Sequence, residues 1–391
     1  MKKTKRKIRY DRLVILILVP IVILVLILLP GYLASRRYKV LGWNSAQIKE
    51  IKEQGLSELI LNNGYYSESL ARAIHENRLN TEYTELFLIR DDVDEDDFLL
   101  YDRLKDIGYE SDQLENLFTN LRDYELTPLL VFDYQYDERD YVSDCLEHRE
   151  ENSPSSFHLS GSYRTDYKAA VEAEKPDSAN VLVSSKSFLK AGYEPSDLVD
   201  LPLTYAVSGM SLRRDASDAL MTFASLASNE GAPFFVRTSY RSYEQQNAAY
   251  ERLLAYLSPE KADRECIRAG YTEHQTGLAV NIQLTYADEE TVYEETEEMP
   301  IINRIAPSTG FIQRYPPEKS QITGIDDEPE HYRYLGKQLA AKVSESQLTY
   351  DEYYGLYLRS WNDSANIPSD AVLARIENYS STHRTEKASS E

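Results

Sequence analysis

The sequence predicts a mixed chain of helices and strands, preceded by a membrane-crossing segment and an all-helical region. Three observations support this architecture. Residues 13–34 are apolar with few interruptions, residues 40–150 carry helical patterns, and residues 278–284 alternate between apolar and polar side chains. Strict alternation is typical of a half-buried strand. At 391 residues, the chain is long enough for two or three domains.

The charge of the chain is acidic and unevenly distributed. The net charge is −22, yet the first twelve residues carry seven Lys and Arg and a single Asp. Because such an acidic body repels nucleic acid and anionic lipid, a nucleic-acid function is excluded. The two cysteines, Cys145 and Cys266, lack the close spacing of a metal site, and two separate thiols are favoured over a disulfide.

The apolar run at residues 13–34 predicts one transmembrane helix, since about 20 apolar residues can cross a bilayer as a helix. Basic flanks remain cytoplasmic, so residues 1–12 are predicted to be a cytoplasmic tail and the body to lie outside the membrane. A cleaved signal peptide is the alternative, but Tyr32 disfavours the small-residue pattern of a cleavage site before Ala34. The predicted location is therefore the cell membrane, with a single pass.

Composition divides the body into regions. Residues 40–150 are predicted to be helical, with two segments that echo each other at Gly64 and Gly108. In each segment, the Gly is predicted to end one helix and a Ser, Ser67 or Ser111, to cap the next. A structural repeat and ordinary helix punctuation both explain this echo. Residues 151–179 are rich in Ser, Glu and Pro and are predicted to be a linker. Residues 180–357 form the predicted second domain, and residues 358–391 a polar, partly disordered tail.

The second domain combines helix and strand signals. Residues 216–230 predict an amphipathic helix, because their apolar side chains share one face. Ser242 and Gln245 match a capping box, which marks the start of the next helix. The predicted strands cover residues 233–236, 278–284, 311–315 and 331–335.

Two histidines in this domain suggest a metal site. His274 lies in a turn before the strand at 278–284, and His331 follows Glu328 closely. Hydrolytic zinc sites need three protein ligands, an open position and a nearby carboxylate as general base. Pro329 excludes a helical arrangement of Glu328 and His331. From the residues alone, a metal-dependent hydrolase and a pair of structural histidines both remain open.

Several motifs, in their order along the chain, resemble those of the VanY-like zinc D-alanyl-D-alanine carboxypeptidases. The motifs are Ser239-Tyr240-Arg241-Ser242 with Gln245, Thr272 through Ile282, Gly310 through Pro316, Ile322 through Ile325, and Glu328 through Gly336. The resemblance covers residues 180–354 approximately. It implies an α+β fold with helices packed on a small antiparallel sheet. It also implies cleavage of the terminal D-alanine from peptidoglycan stem peptides, which are the expected partner.

The resemblance also implies roles for individual residues. His274 and His331 match the two zinc histidines of the family, and Glu328 matches its catalytic base. Arg241 matches the residue that holds the substrate carboxylate, in keeping with the two parallel hydrogen bonds that Arg forms with a carboxylate. The substrate-binding residues implied in this way are Arg241, Gln245 and Thr272.

Two positions depart from the family pattern. Asn281 stands where the family has a zinc-ligand Asp, and Glu330 stands where it has Trp. An amide oxygen is neutral and binds zinc more weakly than a carboxylate. Zinc binding is therefore expected to be weak or absent. The favoured function is a membrane-anchored cell-wall zinc peptidase. The alternatives are an impaired homologue that binds stem peptides or a partner protein, and a structural ectodomain whose helical region carries the function.

Overall fold

The computed structural model describes residues 18, 22, 32–33, 35–132, 138–149, 167, 170–288, 291–325 and 328–359. The chain divides into two compact units, Met1–Phe98 and Leu99–Glu391. The predicted basic tail at 1–12 lies outside the described residues, as do most of the predicted linker at 151–179 and nearly all of the predicted tail at 358–391.

The predicted transmembrane helix over residues 13–34 is contradicted. Among the residues that the structure describes, no helix is both long enough and apolar enough to cross a membrane. Such a helix needs about 20 consecutive apolar residues, because the hydrocarbon core of a bilayer is about 30 Å thick. Only residues 18, 22, 32 and 33 of this segment are described. The predictions of a membrane anchor and of a single-pass membrane location rest on that helix and are corrected with it.

The described part of the first unit is helical. Residues 35–41 form a helix. It is followed by α1 (Ser45–Glu53), α2 (Ser57–Asn63), α3 (Glu68–His75), a 3-10 turn (Thr81–Tyr83) and α4 (Leu86–Ile89). Gly64 ends α2 in a left-handed conformation, and the Ser67 side chain accepts a hydrogen bond from Leu70 N at the start of α3. Both features agree with the punctuation predicted for the first of the two echoing segments.

More helices open the second unit, and α5 crosses the division between the two units. They are α5 (Glu95–Asp106), α6 (Ser111–Asn120), α7 (Asp123–Leu126), α8 (Pro128–Phe132) and α9 (Glu138–His148). Glu110 rather than Ser111 occupies the capping position of α6, so the second echoing segment repeats the first only in part. Every regular element in the described part of residues 35–149 is helical, which confirms the all-helical prediction.

Cys145 and Cys266 are both free thiols, as the sequence analysis favoured.

Strands appear only after the helical region, within the part of the chain that is described. Two short ladders come first: β1 (Val171–Glu172) pairs in parallel with β2 (Ser187–Phe188), and β3 (Leu198–Asp200) pairs antiparallel with β4 (Ser211–Arg213). The main sheet contains β5 (Phe234–Thr238), β6 (Ala279–Leu284), β7 (Phe311–Gln313) and β8 (His331–Tyr334). Its order is β5-β6-β8-β7, and every neighbouring pair is antiparallel.

Helices cover one face of the main sheet and enclose the core. The remaining helices are α10 (Arg214–Asn229), α11 (Tyr243–Leu254), α12 (Pro259–Glu265), α13 (Glu298–Thr309), α14 (Ser320–Thr323), α15 (Lys337–Ser346) and α16 (Tyr350–Tyr353), followed by a π-helical turn at Tyr354–Leu358. The apolar faces of α10 and α13 pack with Val280 and Ile282 of β6 in one buried cluster. The small antiparallel sheet and its helices confirm the α+β part of the predicted fold. On the opposite face, Ile312 of β7 packs with α15 and α16 in a second buried cluster, and Asn281 and His331 lie side by side.

Candidate metal and peptide site

The register of the main sheet brings three polar residues side by side. Asn281 on β6 pairs with Thr238 on β5 and with His331 on β8. Because Val280 and Ile282 are buried in the core, Asn281 lies on the other face of the sheet. Residues directly opposite each other on antiparallel strands have Cβ atoms about 4.5–5.5 Å apart. The Asn281 amide and the His331 imidazole are therefore neighbours.

His274 reaches the same place from a short turn before β6. The turn, Glu273–Thr276, is capped by Thr272, whose hydroxyl accepts a hydrogen bond from His274 N at 3.3 Å. Gly277 ends the turn with a φ of 67°, a left-handed conformation that favours glycine, and a Cβ there would lie 2.9 Å from Leu198 Cδ2. The His274 ring is buried, with its centroid 5.0 Å from that of His331.

The Glu328 carboxylate contacts one of these rings directly. Its Oε2 lies 3.0 Å from His331 Nδ1. Burial alone would raise the pKa of Glu328, but the hydrogen bond and the charge of His331 outweigh it and lower the pKa. An ionised carboxylate only accepts, so His331 Nδ1 carries the proton of this hydrogen bond. The Glu328 side chain is 32% exposed, which leaves it within reach of water.

Arg241 and Gln246 belong to the wall of the same cavity. Arg241 Nη1 donates a hydrogen bond to Gln246 Oε1 at 2.7 Å, and Arg241 N donates to His274 O at 3.2 Å. Gln246 is buried, and its amide nitrogen donates in turn to Cys266 Sγ at 3.3 Å. Among the described residues, no carboxylate forms an ion pair with Arg241. Its guanidinium is therefore held in place and available to an anionic ligand.

The structure places the other two predicted substrate-binding residues differently. Thr272 is buried in the cavity wall. Gln245 lies in the capping box of α11, where its side chain accepts a hydrogen bond from Ser242 N at 2.9 Å. Its neighbour Gln246 lines the cavity instead. The sequence contained a signal for this difference, because the capping box already occupies the side chain at the third helical position.

The side chains meet in a cavity of about 140 Å³ whose wall has the donors of a zinc site. His274 Nδ1, Asn281 Oδ1 and His331 Nε2 are buried and have no hydrogen-bond partner among the described residues. Buried polar atoms without partners are rare in folded proteins. Two imidazole nitrogens and one oxygen are donors that zinc accepts, and they leave a fourth tetrahedral position open. The three residues therefore fit a zinc ion.

The donor set is nevertheless neutral. Within the described residues, no group of three His, Cys, Asp or Glu is arranged to hold a metal ion. Asn281 adds a neutral amide oxygen, and not a carboxylate, to the two histidines. The site can hold zinc, but with less electrostatic attraction than an Asp would give.

The two histidines have opposite charge preferences. Burial, reinforced by the positive charges of His331 and Arg241, lowers the pKa of His274 to about 3. Burial also disfavours the charge on His331, but the carboxylates of Glu273 and Glu328 outweigh it and raise the pKa of His331 to about 8. His274 is thus neutral at pH 7, whereas His331 must lose a proton before its free nitrogen can bind a metal.

In the metal-free protein, the contacts of His331 are expected to stabilise the fold only below about pH 8. The pKa of His331 is about 8 in the folded chain, against about 6.5 in an unfolded chain. This contribution, about 2 kcal/mol, is complete below the unfolded pKa and is lost as the pH rises through the folded one. Urea titration should show the difference in unfolding free energy between wild type and His331→Gln shrink by this amount from about pH 6 to about pH 9.

His274→Gln provides the matched control for this pH dependence. The lowered pKa of His274 means that only the unfolded chain gains a proton there as the pH falls below the usual histidine value. The difference between wild type and His274→Gln should therefore change on the acid side and stay constant on the alkaline side. A His331→Gln difference that does not depend on pH would contradict the charge assignment.

A buried ion network adjoins His331. Arg314 Nε donates to Glu273 Oε1 at 2.9 Å, and its two terminal nitrogens donate to the Asp351 carboxylate at 2.6 and 3.1 Å. Arg333 Nη1 lies 3.0 Å from Glu273 Oε1, at ion-pair distance but without an aligned N–H. Burial raises the pKa of Glu273, yet the two guanidinium groups outweigh it and lower the pKa far below its usual range. Glu273 Oε2 is consequently a fixed anion, 3.8 Å from His331 Nε2.

Asn281 and Glu330, the two positions at which the resemblance predicts a departure from the family pattern, are in contact. Asn281 Nδ2 donates a hydrogen bond to Glu330 Oε1 at 3.3 Å. Burial raises the pKa of Glu330, while the hydrogen bond from Asn281 favours its ionised form. The amide and the additional carboxylate thus form a pair at the edge of the histidine cluster.

Comparison with known proteins covers this part of the chain. The model of the VanY D-alanyl-D-alanine carboxypeptidase family matches residues 209–337, which include every candidate site residue. The Bacillus subtilis protein YodJ, which is named as a carboxypeptidase, is 32% identical to this chain over 209 residues. The match covers 51% of this chain and 77% of that protein. An Enterococcus faecalis D-alanyl-D-alanine carboxypeptidase is 30% identical over 196 residues, or 47% of this chain and 69% of that protein.

The solved structures to which this chain is similar include a variant of the vancomycin-resistance D,D-pentapeptidase VanY in complex with Zn(II). It is 28% identical and is matched over 45% of this chain and 98% of that chain, with a TM-score of 0.38. The two sequence relatives are each at least 30% identical and are covered over more than two thirds of their length. The chain therefore belongs to the VanY family of D-alanyl-D-alanine carboxypeptidases.

Proposed function

We propose that the chain is a zinc-dependent carboxypeptidase that removes the terminal D-alanine from peptidoglycan stem peptides. One observation carries the proposal: the unpaired atoms of His274, Asn281 and His331 share a cavity with Arg241 and Glu328. This combination supplies a metal-binding set, a carboxylate and a cation within one small space. Membership of the carboxypeptidase family supports the reaction type.

Each side chain has a task in this proposal. Arg241, oriented by Gln246, binds the C-terminal carboxylate of the peptide through charged hydrogen bonds. Glu328 is the general base, and His331 Nδ1 holds its Oε2 through a hydrogen bond. The free Oε1 accepts a proton from the attacking water and later returns it to the leaving amine. A zinc ion bound by His274, Asn281 and His331 would polarise the scissile carbonyl group. Glu273 holds a negative charge beside His331.

A second candidate function is binding of stem peptides without turnover. The neutral Asn281 favours it, because a weakly held zinc ion would leave Arg241 and the cavity intact as a peptide-binding site. The two candidates share Arg241 but differ in their need for Glu328. Release of D-alanine from a stem peptide therefore separates them.

Arg241→Ala is expected to act on the free carboxylate of the substrate. A hydrogen bond to a charged group contributes about 1.5–3 kcal/mol, so the variant should lose about 10- to 150-fold in kcat/KM for a peptide ending in D-Ala-D-Ala. The C-terminal amide of the same peptide should lose much less. The measurement is release of D-alanine, or of its amide, from each peptide in the presence of zinc.

Arg237→Ala is the control for this experiment, because Arg237 is an exposed arginine on β5, four positions before Arg241. It removes an equal charge and should change the two peptides alike and only slightly. Equal losses for acid and amide in Arg241→Ala would remove Arg241 from carboxylate binding. No release of D-alanine by wild type, together with binding of the peptide, would favour the second candidate.

A further inference from the structure

The orientation of the Asn281 amide is set by its neighbour. Its nitrogen lies 3.3 Å from Glu330 Oε1. This nitrogen donates the hydrogen bond and the carboxylate oxygen accepts it, so the NH₂ group faces Glu330. The amide oxygen then faces the other way, and it is this oxygen that is buried without a partner among the described residues. Asn281 lines the cavity together with His274 and His331, so its oxygen is presented to the two imidazoles.

The position of Glu330 is fixed by the backbone of the sheet. Ile282 N donates a hydrogen bond to Glu330 O at 3.0 Å, which holds the turn before β8 against β6. Glu330 is half-buried, and the cavity is lined by Asn281 and not by Glu330. A carboxylate in this position can contact the amide without competing for a ligand in the cavity.

We propose that Glu330 is a positioning residue that compensates for Asn281: it orients the amide oxygen toward a metal ion and supplies the negative charge that the amide lacks. The inference rests on the proposed function, since the ion is the zinc held by His274, Asn281 and His331. Hydrogen bonding to an anion polarises the amide and increases the negative charge on its oxygen. A carboxylate that does not bind the metal itself, but forms a hydrogen bond with a residue that does, changes metal affinity in the same way.

This arrangement has a consequence that depends on residue 281. With Asn281, the negative charge of Glu330 attracts both the amide NH₂ group and the cation. Loss of this charge therefore weakens zinc binding. In the Asn281→Asp variant, two carboxylates would face each other at hydrogen-bond distance. Loss of the Glu330 charge would then relieve repulsion. The effect of Glu330→Gln on zinc affinity should therefore depend on the residue at position 281.

The test is a double-mutant cycle on the full chain, with zinc affinity measured by competition with a chelator at about pH 8. Glu330→Gln keeps a hydrogen-bond acceptor for Asn281 and removes only the charge. Alone, it should weaken zinc binding by about 10- to 100-fold. In the Asn281→Asp background, it should leave the affinity unchanged or increase it. Asn281→Asp alone should bind zinc more tightly than wild type.

A second measurement needs no metal. In protein stripped of metal, Asn281→Asp should lower Tm by several degrees, because it places like charges in contact, and adding Glu330→Gln should restore Tm. Glu265→Gln is the matched control for the affinity measurement, because Glu265 lies in the wall of the same cavity but belongs to α12, away from the Asn281 amide. It should weaken zinc binding less than Glu330→Gln does.

The outcomes separate this inference from the proposed function. Equal weakening by Glu330→Gln in both backgrounds, or an unchanged Tm in metal-free Asn281→Asp, overturns the role of Glu330 and leaves the proposed function standing. Equal weakening by Glu265→Gln also overturns it. If no variant binds zinc, including Asn281→Asp, the proposed function fails and this inference fails with it.

Discussion

Replacement of Glu328 by glutamine is expected to lower kcat for D-alanine release by about 100- to 10,000-fold, the range that a general base contributes. Glutamine keeps an oxygen that accepts the hydrogen bond of His331 Nδ1, but it does not take up a proton at neutral pH. The variant should therefore keep its fold and, at saturating zinc, its bound zinc, while it loses turnover. The measurement is kcat from D-alanine release under saturating peptide and zinc.

Zinc content at saturating zinc and the circular dichroism spectrum serve as the controls for this variant. If both match wild type, the loss of turnover belongs to the proton transfer and not to the metal site. A decrease in kcat of less than about tenfold would exclude Glu328 as the general base, because proton transfer by a positioned side chain contributes more than that. The water would then have to lose its proton to another group in the cavity.

The second large effect is expected on stability. Arg314→Met should lower the free energy of unfolding by about 3–5 kcal/mol, since it leaves two buried carboxylates without their shared partner. Arg314 is 1% exposed, and it bridges Glu273 and Asp351. Its guanidinium also stacks over the Tyr315 ring, with 4.6 Å to the ring centroid, so its removal loses that contact as well. Urea titration followed by circular dichroism measures the change.

Arg304→Met is the matched control for this substitution. Arg304 lies in the same unit and pairs with Glu230, but the two side chains are 62% and 44% exposed. Exposed ion pairs contribute about 0–1 kcal/mol, because water screens both charges. Similar losses in the two variants would mean that the buried network adds no more to stability than a surface pair does.

Much of the fold near the site follows from local sequence patterns. The alternation at residues 278–284 correctly predicts that Val280 and Ile282 are buried and that Asn281 faces the opposite side. Ser242 and Gln245 form the predicted capping box. These features depend on residues a few positions apart, so a local pattern contains the information that determines them.

Other features depend on partners that no local pattern identifies. Asp351 holds Arg314 from α16, beyond the motif that contains Arg314. Thr127 donates a hydrogen bond to Glu352 Oε1 at 2.6 Å, which ties α7 and α8 to the end of the second unit. The helical pattern of residues 99–149 gives no indication of this contact. It predicts which residues form helices but not the surface against which the helices pack.

The contact between Asn281 and Glu330 is an intermediate case. Sequence reasoning identifies both residues as departures from the family pattern, and the pairing of β6 with β8 then brings them together. Register across a sheet cannot be read from one strand alone, because it is set by turns and by the burial of one face. The contact between the two residues therefore becomes visible only in the folded chain.

Metal content tests the central claim most directly. The purified chain, equilibrated with zinc and freed of excess by gel filtration, should retain one zinc ion per chain by elemental analysis. His274→Ala and His331→Ala should lose it, while Glu328→Gln should keep it. A wild-type chain that retains no zinc at any zinc concentration tried, or histidine variants that retain as much as wild type, would contradict a zinc site formed by His274, Asn281 and His331.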